Sequence, residues 1–218
     1  MPEYDIAAVS PDTAFSANRD RTPTWAFFAV KRSVDIGLSL ILLPPLIGLA
    51  LFLLAINPVL NRGPILFAQI RMGKEGKPFV AYKFRSMVPH KCSSRRPFDP
   101  VETCRITSLG IILRRSRVDE LPQIVNVLKG EMSLIGPRPD YIHHARHYQR
   151  NIPGYRSRYR VRPGISGLAQ TEVGYAQNSD TVAAKVRVDI QYINTLSLAQ
   201  EFRIFCKTVQ TVAGLRGQ

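Results

Sequence analysis

The longest apolar run in the chain lies at residues 36–60, where twenty-five consecutive residues carry no charged side chain. At ~1.5 Å per residue, a helix of this length reaches across roughly one bilayer. Basic residues flank both ends of the run, namely Lys31 and Arg32 before it and Arg62, Arg71, Lys74 and Lys77 after it. Positive flanks favour the cytoplasmic side of a membrane. The pattern therefore predicts that both ends lie on that side, which one straight span does not allow.

Two adjacent prolines, Pro44 and Pro45, stand at the centre of this run. A proline inside a helix removes a backbone hydrogen bond and clashes with the carbonyl one turn earlier, at a cost of ~3 kcal/mol or more. We therefore predict a re-entrant helix-break-helix over residues 23–61, with Pro44 and Pro45 at the membrane bend. A kinked helix that spans the membrane is the alternative, because proline kinks are common in spanning helices.

The remaining pattern predicts short elements of both kinds. Period-two alternation on either side of the sequence GKEGKP indicates a small β-hairpin. A helix is predicted to begin near Asp119, because Pro122 is tolerated only in a first turn and apolar residues then recur at three-and-four spacing (Leu121, Ile124, Val125 and Leu128). Residues 106–113 fit a short helix or strand, and residues 181–213 fit a helical region. The predicted fold class is α+β and mostly helical.

The chain divides into three predicted parts. Residues 1–22 contain acids and an early proline and lack the apolar core of a signal peptide, which predicts a flexible tail. Residues 23–61 form the predicted membrane hairpin, and residues 62–218 form a cytoplasmic domain. An apolar stripe at residues 202–212 fits either the core of this domain or an amphipathic helix at the membrane interface.

Charge narrows the class of partner. Thirty Lys and Arg stand against sixteen Asp and Glu, a formal net charge of +14. Residues 62–117 alone hold thirteen basic and three acidic residues, a net charge of +10 directly after the apolar run. Such a field predicts an anionic partner, and its position favours anionic lipid or a phosphorylated substrate over nucleic acid. Three cysteines without metal-type spacing indicate neither a disulfide framework nor a zinc site.

Asp119 and Glu120 are the candidate reactive pair. Carboxylates at a helix N-terminus stay ionised, because the free N–H groups and the helix dipole stabilise negative charge. One carboxylate can serve as a nucleophile on phosphorus and the other as a ligand of Mg²⁺. Simple helix capping is the alternative. The basic residues around the pair suit a diphosphate substrate, and Arg138, placed between two prolines, could clamp a phosphate.

Several long motifs carry a family resemblance, in this order: KRSVDIGLSLILLPPLIGLAL, GPILFAQIRMGKEGKPFVAYKFRSM, RITSLGIILRRSRVDELPQIVNVLKGEMSLIGPRP and RPGISGLAQ. From about Lys31 to its C-terminus the chain resembles the bacterial sugar transferases, the monotopic polyprenyl-phosphate hexose-1-phosphate transferases of exopolysaccharide and O-antigen assembly. The resemblance implies an enzyme at the cytoplasmic face of the bacterial inner membrane. Its substrates would be a UDP-sugar and undecaprenyl phosphate, its cofactor Mg²⁺, and its products undecaprenyl-diphosphate-sugar and UMP.

The resemblance also implies roles for individual residues. Asp119 would attack the β-phosphate to form a covalent phosphosugar intermediate, and Glu120 would hold the metal. Basic residues that match the family motifs would face phosphates: Lys83, Arg85, Arg114, Arg138 and Arg162. Neither the transferred hexose nor the oligomeric state, including a homo-oligomer, follows from the sequence.

The sequence departs from the family pattern at a few positions. Thr103 and Cys104 replace an Asp-Pro turn, and Arg117 and Val118 replace a Ser-Leu pair. Tyr175 stands where relatives often carry an Arg. A phosphate or nucleotide contact is therefore expected to be absent at Tyr175 or supplied by another residue.

Overall fold

The computed structural model describes residues 24–61, 63–88, 96–99, 102–173 and 178–214. These parts contain seven α-helices, which are α1 (Trp25–Leu60), α2 (Ser108–Arg115), α3 (Gln123–Lys129), α4 (Ile142–Asn151), α5 (Leu168–Glu172), α6 (Ser179–Asn194) and α7 (Leu198–Ala213). Four strands accompany them, β1 (Leu66–Met72), β2 (Pro78–Phe84), β3 (Ser133–Ile135) and β4 (Gly164–Ser166). The predicted mostly helical α+β class is confirmed. The predicted Tyr175 contact and the 1–22 tail lie outside the described residues.

Helix α1 contains the apolar run and begins at Trp25, after the N-cap residue Thr24, whose side chain accepts a hydrogen bond from the Phe27 N–H. It is long and apolar enough to cross a membrane by length and composition. Pro44 and Pro45 lie inside this one helix, together with Pro58. The predicted break into two separate helices is therefore not confirmed, because one helix continues through both prolines.

Both ends of α1 contact the same globular part of the chain. Near its start, Asp35 is buried and accepts hydrogen bonds from Ser133 Oγ at 2.7 Å and from the Leu134 N–H at 3.2 Å. Near its end, Asn57 Nδ2 donates to the Gly63 carbonyl at 2.6 Å, and Asn61 Nδ2 donates to the Arg85 carbonyl at 2.8 Å. The globular part thus lies along α1 rather than at one end of it.

The predicted hairpin is present. Strands β1 and β2 pair antiparallel from Leu66 opposite Phe84 to Met72 opposite Pro78. Phe79 and Ala81 are buried whereas Val80 is exposed, so the predicted alternation is present in the first half of β2, but it ends before Phe84, which is also buried. Phe84 at the end of β2 packs with Leu46 and Leu53 of α1 and with Leu113 of α2. Each such side chain contributes about 1.5–3 kcal/mol by burial, which fixes the hairpin against α1.

A second pair of strands, β3 and β4, was not expected. They pair in parallel, with Ser133 opposite Gly164 and Ile135 opposite Ser166. A Cβ on Gly164 would lie 2.1 Å from the Gly136 backbone nitrogen, so only glycine allows the two chains to approach this closely. The region 181–213, expected to be helical, is two helices, α6 and α7. They are separated at Ser197, whose side chain caps α7.

Candidate active site

Asp119 and Glu120 lie in a short 3-10 turn, Val118–Glu120, between α2 and α3. Arg117 adopts a left-handed backbone conformation (φ 59°), which ends α2 and redirects the chain into this turn. The α-helix itself begins only at Gln123, so the predicted helix start near Asp119 is corrected by four residues. Pro122 explains the difference, since it has no N–H with which to extend the helix backwards. No side chain caps either element, which contradicts the capping interpretation.

Glu120 is 5% exposed and is held by two cations. Lys83 Nζ, from β2, lies 2.5 Å from Glu120 Oε1. Arg138 donates through both terminal nitrogens, with Nη1 2.9 Å from Oε2 and Nη2 bonded to Oε1. Burial by itself raises the pKa of Glu120, but Arg138 and Lys83 outweigh burial and hold the pKa well below its usual range. Glu120 is therefore a fixed carboxylate anion.

Asp119 is 8% exposed, and no described residue donates a hydrogen bond to its carboxylate. Burial raises the pKa of Asp119, and the charge of Glu120 adds to this rise, whereas Lys83, Arg114 and Arg138 oppose it. A carboxylate without hydrogen bonds keeps its lone pairs available. Asp119 therefore has the environment of a nucleophile, whereas Glu120 has that of an anchored ligand.

Lys83 is the titratable cation of the site. Burial lowers the pKa of Lys83 to about 8. The charge of Glu120 opposes this decrease, whereas the charges of Arg138 and Arg71 add to it. The same burial lowers the pKa of Arg71 to about 10. Among Lys83, Arg71 and Arg138, Lys83 is therefore the cation whose charge changes nearest to neutral pH.

The other predicted basic residues are distributed unevenly. Arg114 Nη1 contacts Met87 Sδ at 3.6 Å, and its charge acts on Asp119. Arg85 is buried and bonds the Asn61 carbonyl at the end of α1, and Arg162 Nε donates to the Gly130 carbonyl at 2.9 Å. The structure thus brings Lys83, Arg114 and Arg138 to the carboxylates, but it does not bring Arg85 or Arg162 there.

Two residues that lie near Arg138 were not predicted from the sequence to do so. Arg71 was counted only as a membrane flank, yet its Nη1 donates to the Pro139 carbonyl at 2.6 Å. Arg158 was not singled out from the sequence, yet it is 8% exposed and bonds Asp140 and Asp189. The sequence pattern gives no signal of this burial, because the 3-10 helix Tyr155–Arg160 follows neither period two nor period 3.6.

The carboxylate pair fits a magnesium ion that takes most of its ligands from water and substrate. Glu120 Oε2 accepts one of the described hydrogen bonds and keeps a lone pair, and Asp119 lies beside it. Magnesium commonly binds proteins through one or two carboxylates and completes its coordination with phosphate oxygens and water. Within the described ranges, no group of three or more His, Cys, Asp or Glu residues forms a closed metal cage.

The family model that describes bacterial sugar transferases matches residues 26–214. A UDP-N-acetylgalactosamine-undecaprenyl-phosphate N-acetylgalactosaminephosphotransferase of Aeromonas hydrophila is 40% identical over 88% of this chain and 45% of its own length. A UDP-glucose:undecaprenyl-phosphate glucose-1-phosphate transferase of Caulobacter vibrioides is 38% identical over 84% of this chain and 69% of its own length. An exopolysaccharide production protein PSS of Rhizobium leguminosarum bv. phaseoli is 39% identical over 83% of this chain and 93% of its own length.

The chain thus spans less than half of the Aeromonas relative and nearly all of the Rhizobium one. The match covers α1, the hairpin, the carboxylate pair and the segment that carries Arg138. On this evidence the chain belongs to the bacterial sugar transferase family.

Proposed function

We propose that this protein transfers a hexose 1-phosphate from a UDP-sugar to undecaprenyl phosphate, forming undecaprenyl-diphosphate-sugar and UMP. The observation that carries the proposal is the contrast within the dyad: Asp119 is buried without a described hydrogen bond, while Glu120 beside it is bound by Lys83 and Arg138. Relatives named as transferases between UDP-sugars and undecaprenyl phosphate support the same reaction. The step would begin exopolysaccharide or O-antigen assembly.

The reaction is proposed to proceed in two displacements at one phosphorus atom. A carboxylate oxygen of Asp119 attacks the β-phosphorus of the UDP-sugar, and the bond from that phosphorus to the bridging oxygen breaks as UMP leaves. A phosphate oxygen of undecaprenyl phosphate then attacks the same phosphorus. This second step breaks the acyl-phosphate bond and returns Asp119 as a free carboxylate.

The cations of the site have a direct part in this scheme. Lys83 and Arg138 already face a carboxylate anion, and Arg114 acts on Asp119, so an incoming diphosphate meets three positive groups. Such groups stabilise the charge that develops on the transferred phosphoryl oxygens. Glu120, with Asp119 beside it, would hold magnesium. When bound, the ion supplies Lewis-acid neutralisation of the diphosphate.

We further propose that α1 enters the membrane from the cytoplasmic side without crossing it. The contacts of Asp35 and Asn61 place both ends of the helix against the same globular domain, and a straight spanning helix would separate them by the bilayer. The basic flanks support the same face and an attraction to anionic lipid. The carboxylate pair would then lie near the headgroups, where a polyprenyl phosphate presents its charge.

A panel of UDP-sugars with UMP release as the measurement tests the reaction and identifies the hexose. We expect release to require polyprenyl phosphate for turnover and to be abolished in Asp119→Asn. The variant keeps the size of the side chain and removes its charge. Full activity in that variant would exclude Asp119 as the nucleophile.

A further inference from the structure

The segment that carries Arg138, residues 137–140, has no regular secondary structure but is held along its whole length. Each of its four carbonyl oxygens accepts a hydrogen bond from a different residue. The donors are the Gly164 N–H to Pro137 (3.0 Å), Arg158 Nη2 to Arg138 (2.9 Å), Arg71 Nη1 to Pro139 (2.6 Å) and the Met72 N–H to Asp140 (3.1 Å). The backbone around Arg138 is therefore fixed from outside the segment by two arginine side chains and two backbone N–H groups.

Arg158 is the donor that reaches Arg138 itself. It is 8% exposed, and each nitrogen of its guanidinium has a partner. Nε donates to Asp189 Oδ2 at 2.7 Å, Nη1 donates to Asp140 Oδ2 at 2.5 Å, and Nη2 donates to the Arg138 carbonyl. Asp189 belongs to α6 and is 1% exposed. Arg158 thus connects α6 to the backbone of the residue that holds Glu120.

We propose that Arg158 is a positioning residue for Arg138, an inference that rests on the function proposed above. Arg158 forms no described bond with Asp119 or Glu120, so its effect passes through the Arg138 backbone. The planar guanidinium suits this task because its donors point in three fixed directions at once. A lysine keeps the charge but cannot reproduce that fork, so it should leave at least one of the three acceptors without a partner.

The first test compares Arg158→Lys with Arg160→Lys, an exposed arginine of the same 3-10 helix. We expect Arg158→Lys to lower kcat about a hundredfold, because small displacements of a positioning group cost about that much. The control should stay within about twofold of the unsubstituted protein, as surface changes commonly do. Asp189→Asn, which weakens the anchor on α6 and leaves Arg158 in place, should give a smaller loss in the same direction.

A double-mutant cycle separates positioning from general support of the fold. In an Arg138→Lys background, adding Arg158→Lys should change UMP release by less than about threefold, because the residue it positions is already altered. Equal losses in both backgrounds would overturn the proposal.

The same cycle measured by thermal unfolding in detergent does not depend on the reaction. If the changes in unfolding temperature caused by the two substitutions are coupled but the protein releases no UMP, the proposed function is contradicted and the positioning role stays supported. If the two changes in unfolding temperature are additive, the positioning role is overturned.

Discussion

Asp119 and Glu120 are neighbours in one 3-10 turn and both are buried, but the described cations bond only Glu120. Lys83 and Arg138 occupy both oxygens of Glu120, whereas no described donor bonds Asp119. The environment thus separates two chemically similar carboxylates into an anchored anion and an available nucleophile.

Glu120→Gln should remove the partner of two cations at once. The glutamine keeps the shape of the side chain, but it leaves Lys83 and Arg138 without the carboxylate. We expect UMP release to fall by at least about a hundredfold, the scale found when one electrostatic partner is lost from an active site. The magnesium concentration needed for half-maximal activity should rise as well, and EDTA should abolish the activity of the unsubstituted protein.

Glu75→Gln is the matched control for this change. Glu75 forms ion pairs with Lys74 and Lys77 in the hairpin turn, where its side chain is largely exposed. Exposed pairs contribute little to stability, so activity and magnesium dependence should stay as they are. A similar loss in both variants would mean that Glu120 acts only through the overall charge.

Activity should fall as the pH rises through about 8. Burial lowers the pKa of Lys83 to about 8, so above this pH the lysine loses the charge that faces Glu120. Lys83→Arg should shift this alkaline limb upward, because arginine stays protonated. The measurement is the pH profile of UMP release for both proteins, and an unchanged limb in Lys83→Arg would assign it to another group.

Lys83 should also make the stability of the protein depend on pH, in the opposite direction to its effect on activity. The folded-state pKa of Lys83 lies below its ordinary value of 10.5. Between about pH 8 and 10.5 the unfolded chain therefore binds more protons than the folded one, and the contribution of Lys83 to the free energy of unfolding rises with pH. Thermal unfolding of Lys83→Met in detergent should lack this contribution.

Much of the fold follows from local pattern, and the exceptions have physical causes. The hairpin was predicted because Phe79, Val80 and Ala81 alternate around a glycine-rich turn. Strands β3 and β4 were missed because each has only three residues, and their pairing depends on the close approach of Gly136 and Gly164. The break at Pro44 was overestimated, since a long helix tolerates the loss of single donors.

The candidate site was predictable as chemistry but not as geometry. Motif resemblance selected Asp119, Glu120 and Arg138, yet it also selected Arg85 and Arg162, which bond backbone carbonyls elsewhere. The difference depends on the tertiary fold, which directs buried Arg85 to the end of α1 and Arg162 to the Gly130 carbonyl instead of to the carboxylates. Arg158 carries no local signal of this kind, because its partners are far apart in sequence.

Tags at the two ends of the chain should both be accessible from the cytoplasm. The contacts of Asp35 with Ser133 and of Asn61 with Arg85 join both ends of α1 to one domain. Cysteine labelling with a membrane-impermeant reagent in intact and opened cells measures the topology. Opposite sides for the two tags would contradict the re-entrant path.

Joint replacement of Pro44 and Pro45 by alanine tests whether these prolines determine the topology. An unchanged topology in that variant would mean that they do not.

The apolar stripe of α7 should contact the membrane rather than pack in the protein core. Phe202 is 68% exposed, whereas Ile204 on the opposite face is completely buried. Phe202→Ser with Phe205→Ser should therefore weaken binding to anionic vesicles in flotation assays and leave the thermal unfolding temperature nearly unchanged. Ile204→Ser is the contrasting variant and should lower that temperature sharply, because it empties a core position. Equal destabilisation by both would place the stripe in the core.

Intact-mass spectrometry of the protein incubated with UDP-sugar and magnesium, without polyprenyl phosphate, detects whether Asp119 forms the covalent phosphosugar intermediate. We expect a mass increase of one hexose phosphate, located on a peptide that contains Asp119 and absent in Asp119→Asn. Adding polyprenyl phosphate should remove the adduct and yield the lipid-linked sugar. An active protein that never carries the adduct, and releases UMP only when both substrates are present, would contradict a covalent role for Asp119.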